Sequence, residues 1–150
     1  MLAAFDSNIL IYAHLEPDTA KGASANALLK SAGASAAVVA AQVLGEFLWV
    51  VRRRRPDLLD LALEAVELLP PTIAVPHTDR HLMAEAARLA ERHRLQFWDA
   101  LILLASARAG ATHLLSEDLQ DGTVIANVRV VNPFAAANRQ LLDRLLPPFP

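Results

Sequence analysis

Along the chain, short runs of consecutive apolar residues alternate with longer segments whose apolar positions recur every three or four residues. Runs of the first kind read as buried strands, and segments of the second as helices that bury one face. "LAAF" (2–5), "AAVV" (36–39), "TIAV" (72–75), "THLL" (112–115) and "VRVV" (128–131) give five expected strands. After the polar "DSN", "ILIYAH" (9–14) opens a short helix, and a second spans about 20–32, stopping near Gly33. "AAQVLGEFLWVVRRRR" places Val43, Phe47, Val50 and Val51 on one stripe. Its arginines, Arg52 to Arg55, fall at the negative end of the helix dipole, and Pro56 ends the helix. Further helices are expected over about 57–69, from Thr78 or Asp79 through "RHLMAEAARLAERH", and over about 98–109 before Gly110. Strands that alternate with helices imply βαβ units around a central parallel sheet. No repeat, low-complexity tract or linker interrupts the pattern, so a single domain over 1–150 is expected.

Composition narrows the class. The apolar fraction is 54% and the mean hydropathy +0.30. No apolar run reaches the roughly 18 residues of a membrane helix, so a soluble protein without a membrane partner is expected. The start, "MLAAFDSNIL", has no basic segment and meets an acid at Asp6, unlike a secretory signal, which makes the cytoplasm the expected location. Without cysteine there is no thiolate nucleophile, disulfide framework or Cys-type zinc site. A formal charge of −2 offers no overall attraction to a polyanion, leaving nucleic-acid contacts to local basic patches or metal ions. His77 and His81 are four apart but lack the glutamate and third ligand of a zinc site, so they read as surface or capping residues. There is no G-x-S-x-G elbow and no glycine-rich phosphate loop.

Acids recur where ligands bind in such sheets, beyond the carboxyl ends of the strands. Asp6 follows the first strand, Glu117, Asp118 and Asp121 follow the fourth, Glu46 lies on the helix after the second, and Asp99 opens the helix before the fourth. Local explanations exist: Asp6 and Asp118 as turn or N-cap residues, Asp99 as an N-cap beside a core Trp98, Glu46 as a solvated helix position. Glu46 and Asp99, however, are set in "VLGEFLWVV" and "FWDALILLA", where a lone buried charge is costly. No lysine or arginine in these segments pairs all the acids, whereas a divalent cation would, and oxygen-only ligands suit Mg²⁺ or Mn²⁺. One or two such ions activate water and stabilise phosphoryl charge, which is the chemistry of phosphodiester hydrolysis.

In "FDSNILIYA", "VLGEF", "FWDALILLASARAGATHLLSEDLQDG" and "VRVVNPF" the chain resembles the PIN-domain nucleases, and within them the VapC-like ribonuclease toxins of toxin–antitoxin pairs. The resemblance implies an α/β fold, a PIN-like αβα sandwich with a central, mostly parallel five-stranded sheet. It implies that Asp6, Glu46, Asp99 and Asp118 are the catalytic, metal-binding quartet for Mg²⁺ or Mn²⁺, one or two ions. Ser7 matches a small hydroxyl residue that is more often threonine, and Asp121 either the extra acid after "ED" or a turn residue. Asn8 either orients the first aspartate or meets substrate, or else caps the short helix, while Asn132, before a proline, shapes the turn after the fifth strand.

The implied activity is that of an endoribonuclease acting on RNA and held in check by a small antitoxin that offers an arginine or lysine to the acids. DNA would be touched only through that antitoxin. A homodimer is also implied, with the apolar helices near 9–14 and 41–51 either forming its surface or packing the core. Arg52 and Arg53 either contact the RNA backbone or form a solvated helix end; Arg53 stands two helical turns from Glu46, about 10 Å along the axis. Trp49 and Trp98, within apolar stretches, read as core or dimer-interface residues rather than base-stacking ones. Two rival readings are a catalytically silent PIN-like binding module and a Mg-binding signalling domain with an acidic pocket. The second would need an aspartate just after the third strand and a late lysine, but "PHTD" follows "TIAV" and the lysines are Lys21 and Lys30.

Overall fold

A computed structural model describes residues 1–147. Its strands are β1 (Ala3–Phe5), β2 (Ala37–Val39), β3 (Ile73–Ala74), β4 (His113–Leu115), β5 (Val124–Ile125) and β6 (Val128–Val131). They form one sheet in the order β3-β2-β1-β4-β6-β5. β1 pairs in parallel with β2 and β4, as do β2 with β3 and β4 with β6, while β5 runs antiparallel to β6. The expectation of five strands is corrected to six. β5 has only two residues, one of them the exposed Val124, too few to show a periodicity. Its turn into β6 places Ala126 and Asn127 at positive φ, 52° and 62°, the geometry of a tight two-residue hairpin but without the usual glycine.

The helices are α1 (Ser7–Leu15), α2 (Ala20–Ala34), α3 (Ala41–Arg54), α4 (Leu59–Glu67), α5 (Arg80–His93), α6 (Phe97–Arg108) and α7 (Arg139–Leu145). Short polar side chains start three of them: Asp6 accepts from the Ser7 N–H, Thr19 from Gly22 and Asp79 from Leu82. Pro56 stops α3 and opens the 3₁₀ turn Pro56–Leu58 that leads into α4. After α6, Gly110 takes φ +84°, as its place beyond the last apolar residue anticipates. α7, which buries Leu142 and Leu145, was not expected, because its seven residues are too few to carry a helical pattern. Gly22 is required where α2 begins, since a Cβ there would lie 1.8 Å from the Glu16 carbonyl oxygen.

The core follows the sheet. β1 is wholly buried, with Val38, Val39, Leu114 and Leu115 beside it and Phe47, Leu82, Leu101 and Leu103 brought in by the helices. α1 packs on α2 and α3, α5 packs on α6, and α3 meets α6. α1 buries Asn8, Ile9, Leu10 and Ala13, so this apolar segment packs the core. Among the described residues no helix is long and apolar enough to cross a membrane.

This order of strands positions the site. The chain runs outward from β1 to β2 and β3, then returns to place β4 on the other side of β1. The strand order therefore reverses between β1 and β4, and a crevice opens beyond their carboxyl ends.

Candidate active site

Asp6 leaves the sheet at the carboxyl end of β1, where Phe5 is in register with Val39 and Leu115. Its N–H donates to the Leu115 carbonyl at 3.0 Å, which brings Asp6 beside Ser116 at the end of β4. The Ser116 hydroxyl, fully buried, donates to Asp6 Oδ2 at 2.6 Å and accepts from the Asp118 N–H at 3.2 Å. Asn8, also buried, donates through Nδ2 to Asp6 Oδ2 at 3.3 Å and to Asp118 Oδ2 at 3.1 Å. Ser7 N–H donates to the other oxygen, Asp6 Oδ1, at 2.7 Å. One acid from each of the two central strands is thus held by a shared serine and a shared asparagine.

The other two acids arrive from the helices. Glu46 lies on α3 and Asp99 in the first turn of α6, both half-buried, and the contact between these helices carries them to the same crevice. Their electrostatics record the convergence. Burial raises the Asp6 carboxyl above its ordinary value, with Asp118 adding to the effect against the lowering by the Ser116 and Ser7 hydrogen bonds. Glu46 is raised by burial, opposed by the Ser7 hydroxyl and reinforced by Asp6 and Asp118. Asp99 is pushed up to about 6, by burial first and then by Asp6, Glu46 and Asp118. Among the described residues the ion pairs join Lys21 to Glu117, Arg55 to Asp57, and Arg108 to Asp79 and Glu85, so none neutralises these four acids.

Four acids without a basic partner, at the switch point of a parallel sheet, are an oxygen-rich donor set of the kind that hard divalent cations take. As the side chains stand, no three acidic or histidine groups among the described residues already form a metal-holding cluster. Mg²⁺ is usually held through one or two carboxylates and several waters, which this arrangement accommodates. The buried Asn8 Oδ1, which has no hydrogen-bond partner, is a further oxygen beside Asp6 and Asp118. The residues fit a hard cation.

Residues 3–120 match the family model for the PIN domain. The chain belongs to the PIN-domain family. Solved structures with this fold include VapC20 from Mycobacterium tuberculosis, described as a toxin that cleaves the sarcin-ricin loop, at 20% identity. That match has a TM-score of 0.63 and covers 75% of this chain and 86% of the other. VapBC2 from Rickettsia felis, solved bound to a DNA fragment from its promoter, matches at 16% identity and TM-score 0.57, over 87% of this chain and 97% of that one. FitAcB from Neisseria gonorrhoeae matches at 16% and 0.58, over 88% and 98%. At such identities the likeness is one of fold. No curated protein matches the chain in sequence.

Within this PIN fold the remaining polar residues divide. Asp6 is both the N-cap of α1 and a member of the cluster, whereas Asp99 is not an N-cap, because Gln96 occupies that position. Glu117 lines the same small cavity as Asn8 and Asp118 but has partners of its own: Lys21 pairs with it at 2.5 Å and Tyr12 donates its hydroxyl to it. Burial alone would raise Glu117, but the hydrogen bonds from Lys21 and Tyr12 outweigh it and hold the carboxyl below its ordinary value. Asp121 is engaged elsewhere, accepting from Asn132 N–H at 2.8 Å and from Asn138 Nδ2 at 2.9 and 3.0 Å, which ties the loop after β4 to the segment after β6. Asn132 Oδ1 accepts from the Phe134 N–H, closing the turn.

At the end of α3, Arg52 and Arg53 are exposed, and Arg54 shares a small cavity of about 180 Å³ with Asn8 and Asp118. The core reading of the two tryptophans is corrected: Trp49 is 56% and Trp98 52% exposed. The helix of Trp98 is apolar on more than one face, so sequence alone left its exposure open, whereas Trp49 falls away from the Val43, Phe47 and Val51 stripe, on the side of Gln42, Glu46 and Arg53. Ser116 escaped the sequence reading, while Arg54 belongs to the basic run that ends α3. For Ser116 the available signal was a hydroxyl directly after a buried strand and before two acids, in "LLSED".

Proposed function

We propose that this PIN-domain protein is a divalent-metal-dependent endoribonuclease that hydrolyses RNA phosphodiester bonds and acts as the toxin of a toxin–antitoxin pair. The observation that carries the proposal is the convergence of Asp6, Glu46, Asp99 and Asp118, without a basic partner, at the switch point between β1 and β4. Membership of the PIN family and a fold shared with VapC20 support it.

Asp6, Glu46, Asp99 and Asp118 would hold one or two Mg²⁺ or Mn²⁺ ions. Bound there, such a cation supplies an activated water and offsets charge on the phosphoryl oxygens. The protein's own part is preorganisation. Ser116, Asn8 and the Ser7 N–H fix both oxygens of Asp6 before any cation arrives, so little ordering remains to be done on binding. Asp99, its carboxyl raised to about 6 by burial and by Asp6, Glu46 and Asp118, would have to be ionised to hold a cation, which ties loading to pH.

Acids that attract a cation also accept a guanidinium or ammonium group, which gives a small antitoxin its means of inhibition: an arginine or lysine inserted among the four. DNA would be reached only through that antitoxin, in keeping with the promoter DNA in the VapBC2 complex. A cytoplasmic homodimer completes the reading.

The test is cleavage of a labelled single-stranded RNA by antitoxin-free protein in Mn²⁺, in Mg²⁺ and in EDTA, beside Asp99→Asn. Cutting that needs metal and disappears in the variant is the expected result. Failure to cut several RNAs despite bound metal would overturn it in favour of a silent binding module.

A further inference from the structure

We propose that Trp49 and Trp98 form a stacking site for an unpaired nucleobase of the RNA beside the scissile phosphate, an inference that rests on the ribonuclease reading above. The two indoles, with Gln42 and Glu46, line an open cavity of about 470 Å³. That lies within the roughly 300–1,000 Å³ typical of ligand sites. Both rings are more than half exposed, although an indole is among the most costly surfaces to leave in water.

Position and charge select the occupant. Gln42, Glu46, Trp49 and Arg53 are spaced four, three and four residues apart, so they share one face of α3. On this face Trp49 stands between a cluster acid and the basic end of the helix. The Arg53 guanidinium lies over the Trp49 ring at 4.5 Å. Trp98 directly precedes Asp99 and is braced edge-on by Phe97, ring centroids 5.0 Å apart at 77°. Each tryptophan is therefore tied to an acid of the cluster.

A chain that offers flat apolar faces and negative phosphates in alternation matches this surface. Bases stack on indoles whatever their sequence, while the arginines follow the backbone. A base within a duplex is already stacked on both faces, so the site takes unpaired nucleotides and confines cutting to loops or single strands. The cavity sits where a base would flank a phosphate held at the acids, making the tryptophans determinants of substrate structure while the acids perform the chemistry.

The chain has two tryptophans, so its own emission reports the site. The experiment titrates the Asp99→Asn protein in Mn²⁺ with a short single-stranded RNA and, separately, with its duplex. Single strands quench the emission and duplex does not. Adding Trp49→Ala or Trp98→Ala weakens binding roughly 5- to 150-fold, the range expected for one lost base stack. Phenylalanine at either position restores most of the affinity, and half-exposed sites leave the melting temperature nearly unchanged. Unchanged RNA affinity in both alanine variants would overturn the proposal. So would sedimentation showing that alanine at these positions splits a wild-type dimer, because the indoles would then be covered by a second protein surface. A wild type that shows no metal-dependent cutting would instead refute the ribonuclease reading.

Discussion

The Ser116 hydroxyl donates to Asp6 Oδ2 at 2.6 Å, joining the ends of β4 and β1 across a sequence separation of 110 residues. The same oxygen atom of Ser116 accepts from the Asp118 backbone, so one buried side chain sets the spacing of two acids. Ser116→Ala removes the shorter donor to Asp6 Oδ2 and leaves the Asp118 N–H without this acceptor. We expect a loss of about 1–2 kcal/mol of stability. Metal affinity or turnover should fall roughly 10–100-fold, as for other groups that orient metal ligands. Thermal melts and a Mn²⁺ titration check both, and wild-type metal affinity in the variant would remove Ser116 from this role.

Asp99 supplies a separation of stability from activity. Its carboxyl is pushed up to about 6, against 3.8 unperturbed, first by burial and then by Asp6, Glu46 and Asp118. The native state therefore holds that proton more tightly than the unfolded chain. Metal-free stability accordingly falls as pH rises between these values, and the full penalty is carried at pH 7. Asp99→Asn removes the charge. Discounted for half-exposure, the gain is about 1 kcal/mol. That corresponds to a rise of about 2–4 °C in Tm. Cleavage should disappear in the same protein, and a variant that melts lower than wild type in EDTA would contradict the electrostatic account.

Metal loading requires charged carboxylates, so cleavage at limiting Mn²⁺ should climb as pH rises through about 6. Raising the Mn²⁺ concentration should move the midpoint to lower pH, because cation and protons compete for one group of oxygens. Mn²⁺ should also raise the wild-type melting temperature, by about 2.7 kcal/mol of stability at a hundred times Kd. Rates independent of pH between 5 and 8 at both metal concentrations would argue against this coupling.

Gly22 tests the scaffold rather than the chemistry. A methyl group at this position would fall 1.8 Å from the Glu16 carbonyl oxygen and 2.9 Å from Pro17 Cα, both backbone atoms. Gly22→Ala, despite its better helix propensity, should destabilise by about 1–3 kcal/mol through forced displacement of the α1–α2 turn. A denaturant melt that shows equal or greater stability would mean that the turn yields easily.

Elements with local causes could be read directly from the chain. Asp79 caps α5, Pro56 ends α3 and Gly110 closes α6 because capping, ring geometry and positive φ act within a few residues. The four acids drew notice for different reasons: Glu46 and Asp99 stand in apolar surroundings where an isolated charge is costly, Asp6 and Asp118 follow expected strands, and the resemblance to PIN nucleases is what grouped them. The rest depended on packing between distant segments. Which strands flank β1 is a choice among distant pairings, and it alone brings Ser116 beside Asp6 and creates the crevice. Glu117 and Asp118 are adjacent in sequence, yet Lys21 and Tyr12 engage one while Asn8 ties the other to Asp6. Trp98 faces solvent because α6 is apolar on several sides and only packing selects the side left open, whereas Trp49 lies on the polar face of α3 with Gln42, Glu46 and Arg53.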